Sequence, residues 1–326
     1  MLEVVKPGLE TSVQDLPGRL GYWEQGFPPS GPMDVWSFRL ANLLVGNAAN
    51  DAGLECQFIG PTLRFRADAT IAVTGANMGG ALDGSSIPMW ETVRVRAGQS
   101  LALGPALTGA RTYLAVCGGI DVPEVLGSRS TFHVAGIGGM EGGALKEGQV
   151  VPVGTAGALP ARPLRVRPEC RPEISTDRRW TIEICEGPND DWIAEETKRA
   201  FCEEDWTLTA KSNRTGFRLE GPEWDFAPRA IEKNPEHGEH PSNILDHGYP
   251  VGCMNLGGQT PIILVNDSPS TGGFINPYTV PSCAFWKLAQ SRPGETYRFA
   301  VISVEEAQHR SAELDDLCTP VSLEEI

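Results

Sequence analysis

The chain has little positive charge, few aromatic residues and no long apolar run. Of its 326 residues, 27 are Lys or Arg and 42 are Asp or Glu, which gives a net charge of −15. Clustered Lys and Arg bind nucleic-acid phosphates, and aromatic residues, only 7% here, stack on bases. The composition therefore argues against a nucleic-acid-binding protein. No stretch approaches the roughly 20 apolar residues that are needed to span a bilayer.

The eight cysteines lack the spacing of a metal site. No two of them form a C-x-x-C pair, so zinc binding is not expected, and the thiols are expected to be reduced and mostly buried. The first eight residues do not combine a charged lead with an apolar core, which is the pattern of a secretion signal. We therefore expect a cytoplasmic protein with no bound metal.

Short strands separated by turn residues dominate the first half of the chain. Apolar runs cover residues 69–74, 92–96, 111–116 and 150–153, and glycine-containing turns lie between them. A parallel α/β sheet would need a helix after each strand, and these helices are missing. The spacing therefore predicts a barrel or a sandwich. Asp34 is the expected N-cap of a helix that runs to residue 45.

A proline-rich segment, residues 157–172, is the expected linker between two domains. It carries four prolines and shows no hydrophobic periodicity. The predicted domains are residues 1–160, a first β lobe, and residues 173–326, a second β lobe with a C-terminal helix over residues 303–317. The tail after that helix, residues 318–326, is expected to be frayed.

Two motifs of the first half recur in the second half. Arg19-Leu20-Gly21-Tyr22 resembles Arg214-Thr215-Gly216-Phe217, and residues 26–34 resemble residues 248–255 when one residue is skipped. Together the two repeats suggest two related lobes with a groove between them.

A polar, glycine-rich stretch over residues 237–277 surrounds the apolar run 262–265. That run is predicted to be a core strand, and three of the five histidines lie in the stretch. Binding groups usually sit on loops that a rigid scaffold holds in place. We therefore predict a binding site here, and an ordinary polar loop is the alternative.

Five motifs along the chain are long enough to be specific to a family. They are Ser12-Val13-Gln14-Asp15, residues 28–34, residues 212–216, His240-Pro241-Ser242-Asn243 and Asp267-Ser268-Pro269-Ser270. They resemble the allophanate hydrolase subunit 2 family, and within it the carboxyltransferase portions of urea carboxylases. The resemblance covers roughly residues 4–302.

The resemblance implies a mainly β fold of two cyclophilin-like β-barrel lobes with a few short helices. It further implies a subunit of a split, biotin-dependent carboxyltransferase that moves CO₂ from carboxybiotin to a nitrogen of urea or a related amide or amidine. The implied partners are an allophanate hydrolase subunit 1-like protein, a biotin carboxylase and a biotin carrier protein. The biotin is expected on that separate carrier, because this chain has no Met-Lys-Met attachment motif.

Two other functions remain open at the level of sequence. One is that of the C subunit of 5-oxoprolinase, whose members share the fold and work with different partners. The other is that of a non-catalytic regulator that binds a kinase inhibitor.

The predicted catalytic residues are His240, Arg214 and Asn213. An unperturbed histidine side chain changes charge near neutral pH, and this property of the residue type makes His240 the candidate for acid–base catalysis. Arg214 can hold a carboxylate through two hydrogen bonds, and Asn213 can donate a single one. Each has a structural alternative, in which His240 only shapes a loop and Arg214 only forms an ion pair.

Substrate binding calls for hydrogen-bond acceptors, since a urea-like molecule offers mostly N–H donors. The predicted substrate-binding residues are Ser242, Asn243, Asp246, Asp267 and Ser270. Either aspartate can instead cap a turn. The predicted cofactor-binding residues are Gln14, Asp15, Arg19, Ser30 and Asp34. Each of these can either line a groove or fix a loop of its own lobe.

Overall fold

The computed structural model describes residues 1–155, 157 and 162–326, and strands make up most of its regular structure. In chain order the strands are β1 (Leu2–Lys6), β2 (Glu10–Gln14), β3 (Gly53–Gln57), β4 (Thr62–Phe65), β5 (Ala69–Asn77), β6 (Ala81–Leu82), β7 (Ser85–Ser86), β8 (Thr92–Val95), β9 (Ser100–Ala102), β10 (Thr108–Val116), β11 (Val150–Val151), β12 (Leu164–Val166), β13 (Arg179–Glu186), β14 (Trp206–Leu208), β15 (Gly216–Glu220), β16 (Asn243–Gly248), β17 (Cys253–Gly257), β18 (Thr260–Leu264), β19 (Thr271–Phe274), β20 (Tyr278–Thr279), β21 (Thr296–Val301) and β22 (Leu323–Glu325). The mainly β fold is confirmed.

Helices are few and short in the described part of the chain. The α-helices are α1 (Val35–Leu44), α2 (Glu195–Glu203), α3 (Pro228–Ile231), α4 (Phe285–Gln290) and α5 (Val304–Leu317). Short 3-10 helices cover Trp23–Gln25, Pro168–Cys170, Asp190–Trp192, Pro235–His237, Ser282–Ala284 and Pro320–Ser322. None of the described helices is long and apolar enough to cross a membrane.

The described chain divides into two compact units. The first comprises Met1–Gly21, Pro29–Ile174 and Glu313–Ile326, and the second comprises Tyr22–Pro28 and Ser175–Ala312. The predicted boundary at residue 160 and part of the predicted linker lie outside the described residues. The domain ranges drawn from the sequence therefore stay a prediction.

The C-terminal tail belongs to the first unit and is ordered, so the expectation of a frayed end is wrong. Strand β22 pairs with β12 in antiparallel register, with Val166 opposite Leu323. Leu323 and Leu317 also pack against a core cluster of the first unit. The pairing partner is about 160 residues away in sequence, so no local pattern at the tail signals it.

The described part of the first unit contains three sheets. The two larger ones run in the orders β11-β1-β4-β9-β6-β7 and β2-β3-β10-β5-β8, and the third is the pair β12–β22. Alternate residues of each strand point inward, as period-2 geometry requires. Leu2, Leu63, Leu54 and Leu114, from four different strands, meet in one core cluster. This arrangement is the sandwich that the strand spacing allowed.

Helix α1 begins where its sequence predicts. The Asp34 side chain accepts a hydrogen bond from the Ser37 N–H at 2.9 Å, which satisfies one of the unpaired donors at the helix start. Phe38, Ala41 and Leu44 form the buried face of the helix and pack against the same core cluster as Tyr113. The predicted N-cap is confirmed.

The second unit is built on a closed barrel. Its strands follow the order β13-β20-β17-β18-β15-β14-β21, and the parallel pairing of β13 with β21 closes it. Phe201 from α2 stacks on Phe299 and Tyr278, with ring centroids 4.5 and 4.9 Å apart. Strands β16 and β19 form a separate two-stranded sheet in this unit.

Helix α2 starts later than the sequence predicted. The amphipathic pattern of residues 191–202 predicts a continuous helix over that range, but Asp190–Trp192 is a 3-10 helix and α2 begins at Glu195. Ile193 between them is extended and forms an isolated β-bridge with Phe226. That long-range pairing interrupts the helix.

A buried polar network anchors the start of α1. One Glu55 carboxylate oxygen accepts hydrogen bonds from the Met33 N–H and from the Tyr113 hydroxyl, both at 2.8 Å. The Tyr113 hydroxyl in turn accepts the Asp34 N–H at 2.8 Å. Burial, with Glu55 and Asp34 nearby, raises the pKa of Tyr113 well above its usual value, so the hydroxyl keeps its proton.

Removal of the Tyr113 hydroxyl should destabilise the protein. In Tyr113→Phe the Asp34 N–H and a Glu55 oxygen lose that partner, and a buried polar group without its partner costs about 1–3 kcal/mol. Urea denaturation should show a free energy of unfolding lower by that amount. Tyr22→Phe, at a half-buried position, is the matched control and should change it by less than about 0.5 kcal/mol. Equal losses in both variants would contradict this role for Tyr113.

Candidate functional site

His240 and Ser242 form a hydrogen-bonded pair in the second unit, next to the turn that joins β17 and β18. The Ser242 hydroxyl lies 2.9 Å from His240 Nδ1, and the Ser242 N–H donates to the same nitrogen at 3.2 Å. The Gly258 N–H, in the turn, donates to Ser242 Oγ at 3.2 Å. Ser242 is fully buried, whereas His240 is half-buried. The buried serine thus links the turn to the imidazole.

Lys233 forms a backbone clamp on the same loop, a pair of hydrogen bonds from its side chain to two backbone carbonyl oxygens. Its ammonium group donates to the carbonyl oxygen of His240 and, at 2.6 Å, to that of Asn243. The Asn243 N–H also donates to the His240 carbonyl at 2.9 Å. Burial lowers the pKa of Lys233. Sequence reasoning missed this residue, because a lysine that binds backbone carbonyls leaves no pattern of side-chain types.

Arg214 and Asp267, both predicted site residues, are paired with each other. Arg214 Nε lies 3.0 Å from Asp267 Oδ2 and Nη2 lies 3.5 Å from Oδ1. The two side chains are only 5% and 3% exposed. The Asp267 N–H also donates to the Arg214 carbonyl at 2.8 Å. This buried ion pair has two N···O contacts, and it matches the alternative in which Arg214 only forms a structural ion pair.

Asn213 shapes the turn before β15. Its side-chain oxygen accepts hydrogen bonds from the Thr215 N–H at 2.8 Å and from the Gly216 N–H at 3.3 Å. The residue is exposed. Its side-chain carbonyl oxygen therefore fixes the turn that carries Arg214.

The predicted catalytic residues do not form one cluster. The turn at Gly258 precedes β18, whereas Arg214 and Asp267 meet beyond its other end, where Gly216 pairs with Leu264. A five-residue strand is about 13 Å long at roughly 3.3 Å per residue. The structure thus groups His240 with Ser242 and Asn243, and separately Arg214 with Asp267.

The remaining predicted substrate residues lie on or beside the two-stranded sheet β16–β19, with Asp246 on β16 and Ser270 just before β19. Asp246 is exposed on β16, and the Ser270 carbonyl accepts the Tyr249 N–H at 2.7 Å. His247, which was not predicted as a site residue, has its Nε2 3.1 Å from the Phe274 carbonyl and 3.0 Å from Asn276 Nδ2. The sheet therefore exposes the Asp246 carboxylate beside the hydrogen-bonded His247.

Asn276 is a second residue that sequence reasoning missed. It is 1% exposed, and its side-chain oxygen has no hydrogen-bond partner in the described part of the chain. Its backbone N–H donates to the side-chain oxygen of Asn189 at 2.9 Å. A single asparagine between an isoleucine and a proline carries no recognisable motif, so only the fold reveals it.

Asp15 and Arg19, in the first unit, hold one loop of that unit. The Asp15 carboxylate accepts hydrogen bonds from the hydroxyls of Ser128 and Ser130, both at 2.6 Å, and from the Arg129 N–H at 2.7 Å. Arg19 Nη2 donates to the Ser130 carbonyl at 2.8 Å. Both side chains are buried, and these contacts fix the loop over residues 128–130.

The other three residues predicted to bind the cofactor are also buried in the first unit. Asp34 caps α1. Gln14 donates from Nε2 to the Ser12 hydroxyl at 3.0 Å, and its Oε1 has no hydrogen-bond partner in the described residues. Ser30 is 3% exposed and has a left-handed φ of 57°. The contacts of Asp15, Arg19 and Asp34 favour the structural alternative.

Five of the eight cysteines are buried. All eight are free thiols, and burial raises the pKa of Cys56, Cys253 and Cys318 to about 12. Within residues 1–155, 157 and 162–326 no group of three or more His, Cys, Asp or Glu side chains has the arrangement of a metal site.

Comparison with known proteins finds one matching family and several long relatives. The family described as "Carboxyltransferase domain, subdomain A and B" matches residues 25–301. Urea amidolyase of Saccharomyces cerevisiae is 40% identical over 319 residues, which cover 94% of this chain and 17% of that protein. The C subunit of 5-oxoprolinase from Escherichia coli is 34% identical over 311 residues, which cover 94% of this chain and 93% of that protein.

A solved structure agrees over the whole chain. The crystal structure of the Kluyveromyces lactis urea carboxylase matches with a TM-score of 0.89 and 39% identity, and the match covers 100% of this chain and 30% of that one. The chain spans about a sixth of the curated urea amidolyase that it matches.

Neutralising one partner of the buried ion pair should be costly. Asp267→Asn removes the carboxylate charge that faces the buried Arg214 guanidinium, and breaking a buried pair in this way costs about 3–5 kcal/mol. Urea denaturation should show this loss. Asp205→Asn is the matched control, because Asp205 pairs with Arg298 at the surface. The urea concentration at the unfolding midpoint of this variant should barely change. Similar shifts in the two variants would contradict a stabilising role for the buried pair.

Proposed function

The chain belongs to the carboxyltransferase domain family of subdomains A and B, and on that premise we propose that it is the carboxyltransferase part of a urea carboxylase-like enzyme. In this proposal it moves a carboxyl group from carboxybiotin to a nitrogen of urea or a related amide or amidine. The observation that carries the proposal is the 40% identity to a urea amidolyase across 94% of the chain.

The polar groups near His240 suit carboxybiotin chemically. Its carboxylate and ureido oxygens both accept hydrogen bonds, and the loop offers donors in the His240 imidazole and the Asn243 amide. Gly258 has a left-handed φ of 68°, and a Cβ at this position would meet no heavy atom within 4 Å. That open space allows a ligand to approach the backbone closely.

Held near His240 and Asn243, carboxybiotin would supply its carboxyl group to the acceptor nitrogen in exchange for a proton from that nitrogen. The residues of this chain act by positioning and electrostatics. His240 and Asn243 donate to the oxygens on which negative charge develops, and such preorganised donors contribute strongly to catalysis. The exposed Asp246 carboxylate accepts from the N–H groups of the acceptor.

The remaining predicted residues take supporting roles in this proposal. Arg214 and Asp267 hold the far end of β18 through their ion pair, and Asn213 shapes the adjoining turn. Ser270 accepts from Tyr249 and fixes the end of β16. The first-unit residues Gln14, Asp15, Arg19, Ser30 and Asp34 hold their own loops in shape. The biotin carrier, the biotin carboxylase and the subunit 1-like partner lie outside residues 1–326.

A second function is favoured by one specific observation. The chain is 34% identical to the C subunit of 5-oxoprolinase over 94% of its length. A subunit of an enzyme that acts on 5-oxoproline is therefore the alternative to be separated by experiment.

Reconstitution tests the proposal. The chain is combined with a subunit 1-like protein, a biotin carboxylase and a biotinylated carrier, and ATP hydrolysis is followed with urea, guanidine, acetamide or 5-oxoproline. We expect hydrolysis that depends both on this chain and on urea, guanidine or the amide. His240→Ala should lower that rate by about 10²–10³-fold, the loss typical when one donor to a developing charge is removed.

The same assay can also give results that contradict the proposed function. Absence of acceptor-dependent hydrolysis with urea, guanidine and acetamide would overturn the proposal. Turnover of 5-oxoproline alone would support the alternative function instead. Acceptor-independent hydrolysis by the biotin carboxylase is the internal control, and His240→Ala should leave it unchanged.

A further inference from the structure

The hydrogen bonds around His240 determine which ring nitrogen carries the proton. The Ser242 N–H points at His240 Nδ1 from 3.2 Å. A backbone N–H can only donate, so Nδ1 must be the acceptor and carry no proton. A neutral imidazole has a single N–H, which places the proton of His240 on Nε2.

The Ser242 hydroxyl reinforces the same assignment. Its oxygen accepts the Gly258 N–H at 3.2 Å and lies 2.9 Å from His240 Nδ1. Ser242 is 0% exposed, so water does not compete for the hydroxyl. The hydrogen bonds therefore run in one direction, from the Gly258 N–H to Ser242 Oγ and from the Ser242 O–H to His240 Nδ1.

Two further contacts hold the His240 residue, one at its backbone and one at its ring. Lys233 holds the backbone carbonyls of His240 and Asn243. The ring of Phe226 meets the imidazole edge to face, with centroids 5.6 Å apart and planes at 86°. In the described part of the chain, His240 Nε2 has no hydrogen-bond partner of its own.

We infer that Ser242 is a positioning residue that fixes His240 as a neutral hydrogen-bond donor through Nε2–H. The ligand that this donor fits is an oxygen that carries or develops negative charge, such as a carboxylate or ureido oxygen. A proton added at Nδ1 would face the Ser242 N–H, which can only donate, so the ring acts as a donor and not as a general base. Only the identity of the ligand oxygen rests on the proposed function, since the proton position does not depend on it.

Histidine NMR tests the proton position without any activity. The full chain, labelled with ¹⁵N-histidine, has five imidazoles, and the spectrum of His240→Gln assigns His240 by difference. In the unmodified chain we expect a protonated Nε2 and an unprotonated, hydrogen-bonded Nδ1. Ser242→Ala should shift the Nδ1 resonance towards that of an unbonded nitrogen.

Lys233→Met is the matched control for the NMR experiment, because it removes the backbone clamp but no donor to Nδ1. It should move the His240 Nδ1 resonance far less than Ser242→Ala does. A protonated Nδ1 in the unmodified chain would overturn the inference. Equal shifts in Ser242→Ala and Lys233→Met would also overturn it, because the serine hydroxyl would then have no specific effect on the ring.

Two substitutions of His240 test, in the reconstituted enzyme, whether this residue acts as a hydrogen-bond donor or as a general base. The amide nitrogen of glutamine reaches the position of Nε2, whereas that of asparagine reaches only the position of Nδ1, and neither amide takes up a proton. We expect His240→Gln to keep the acceptor-dependent rate within about 10-fold and His240→Asn to lose about 10²–10³-fold.

Equal, large losses in His240→Gln and His240→Asn would overturn the donor role and support a base. If the unmodified chain shows no turnover with urea, guanidine or acetamide, the proposed function fails. The NMR result still decides the proton position in that case. The two failures are therefore distinguishable.

Discussion

Strand β18 is the constraint on which the candidate site depends. Its pairing with β17 forms the turn that brings Gly258 to Ser242, and its pairing with β15 brings Arg214 to Asp267. The register is set by apolar contacts, because Ile263 is fully buried opposite Phe217 on one side and Met254 on the other. A slip of one residue would turn Ile263 outward. The hydrophobic core therefore fixes the polar contacts at both ends of the strand.

The two ends of β18 use their polar groups differently. Arg214 and Asp267 direct their charges at each other in a nearly dry environment, which suits a structural pair. At the other end the buried groups are neutral, and they leave His240 Nε2 for a partner outside the described contacts. The strand thus separates a stabilising charge pair from a preorganised hydrogen-bond donor. Arg214 and His240 therefore have different roles, although both lie in motifs that resemble the same family.

Features with local causes could be predicted from the sequence. The cap at Asp34 depends on residues three positions apart, and strands β5, β8, β10 and β11 coincide with short apolar runs between turn residues. Features that depend on residues far away in sequence could not be predicted. The C-terminal tail is ordered because β22 pairs with β12. The ion pair of Arg214 depends on the Asp267 carboxylate, which lies 53 residues away in sequence. The role of Lys233 depends on backbone carbonyls, which no pattern of side chains encodes.

The central claim is that His240 Nε2 donates to the oxygen of a bound biotin group during carboxyl transfer. The most direct measurement is a structure of the reconstituted complex with the biotinylated carrier engaged. We expect a carboxylate or ureido oxygen of the biotin group within about 2.7–3.2 Å of His240 Nε2, the range of an N–H···O hydrogen bond. A biotin ring bound away from the His240 loop, with Nε2 facing only water, would contradict the claim.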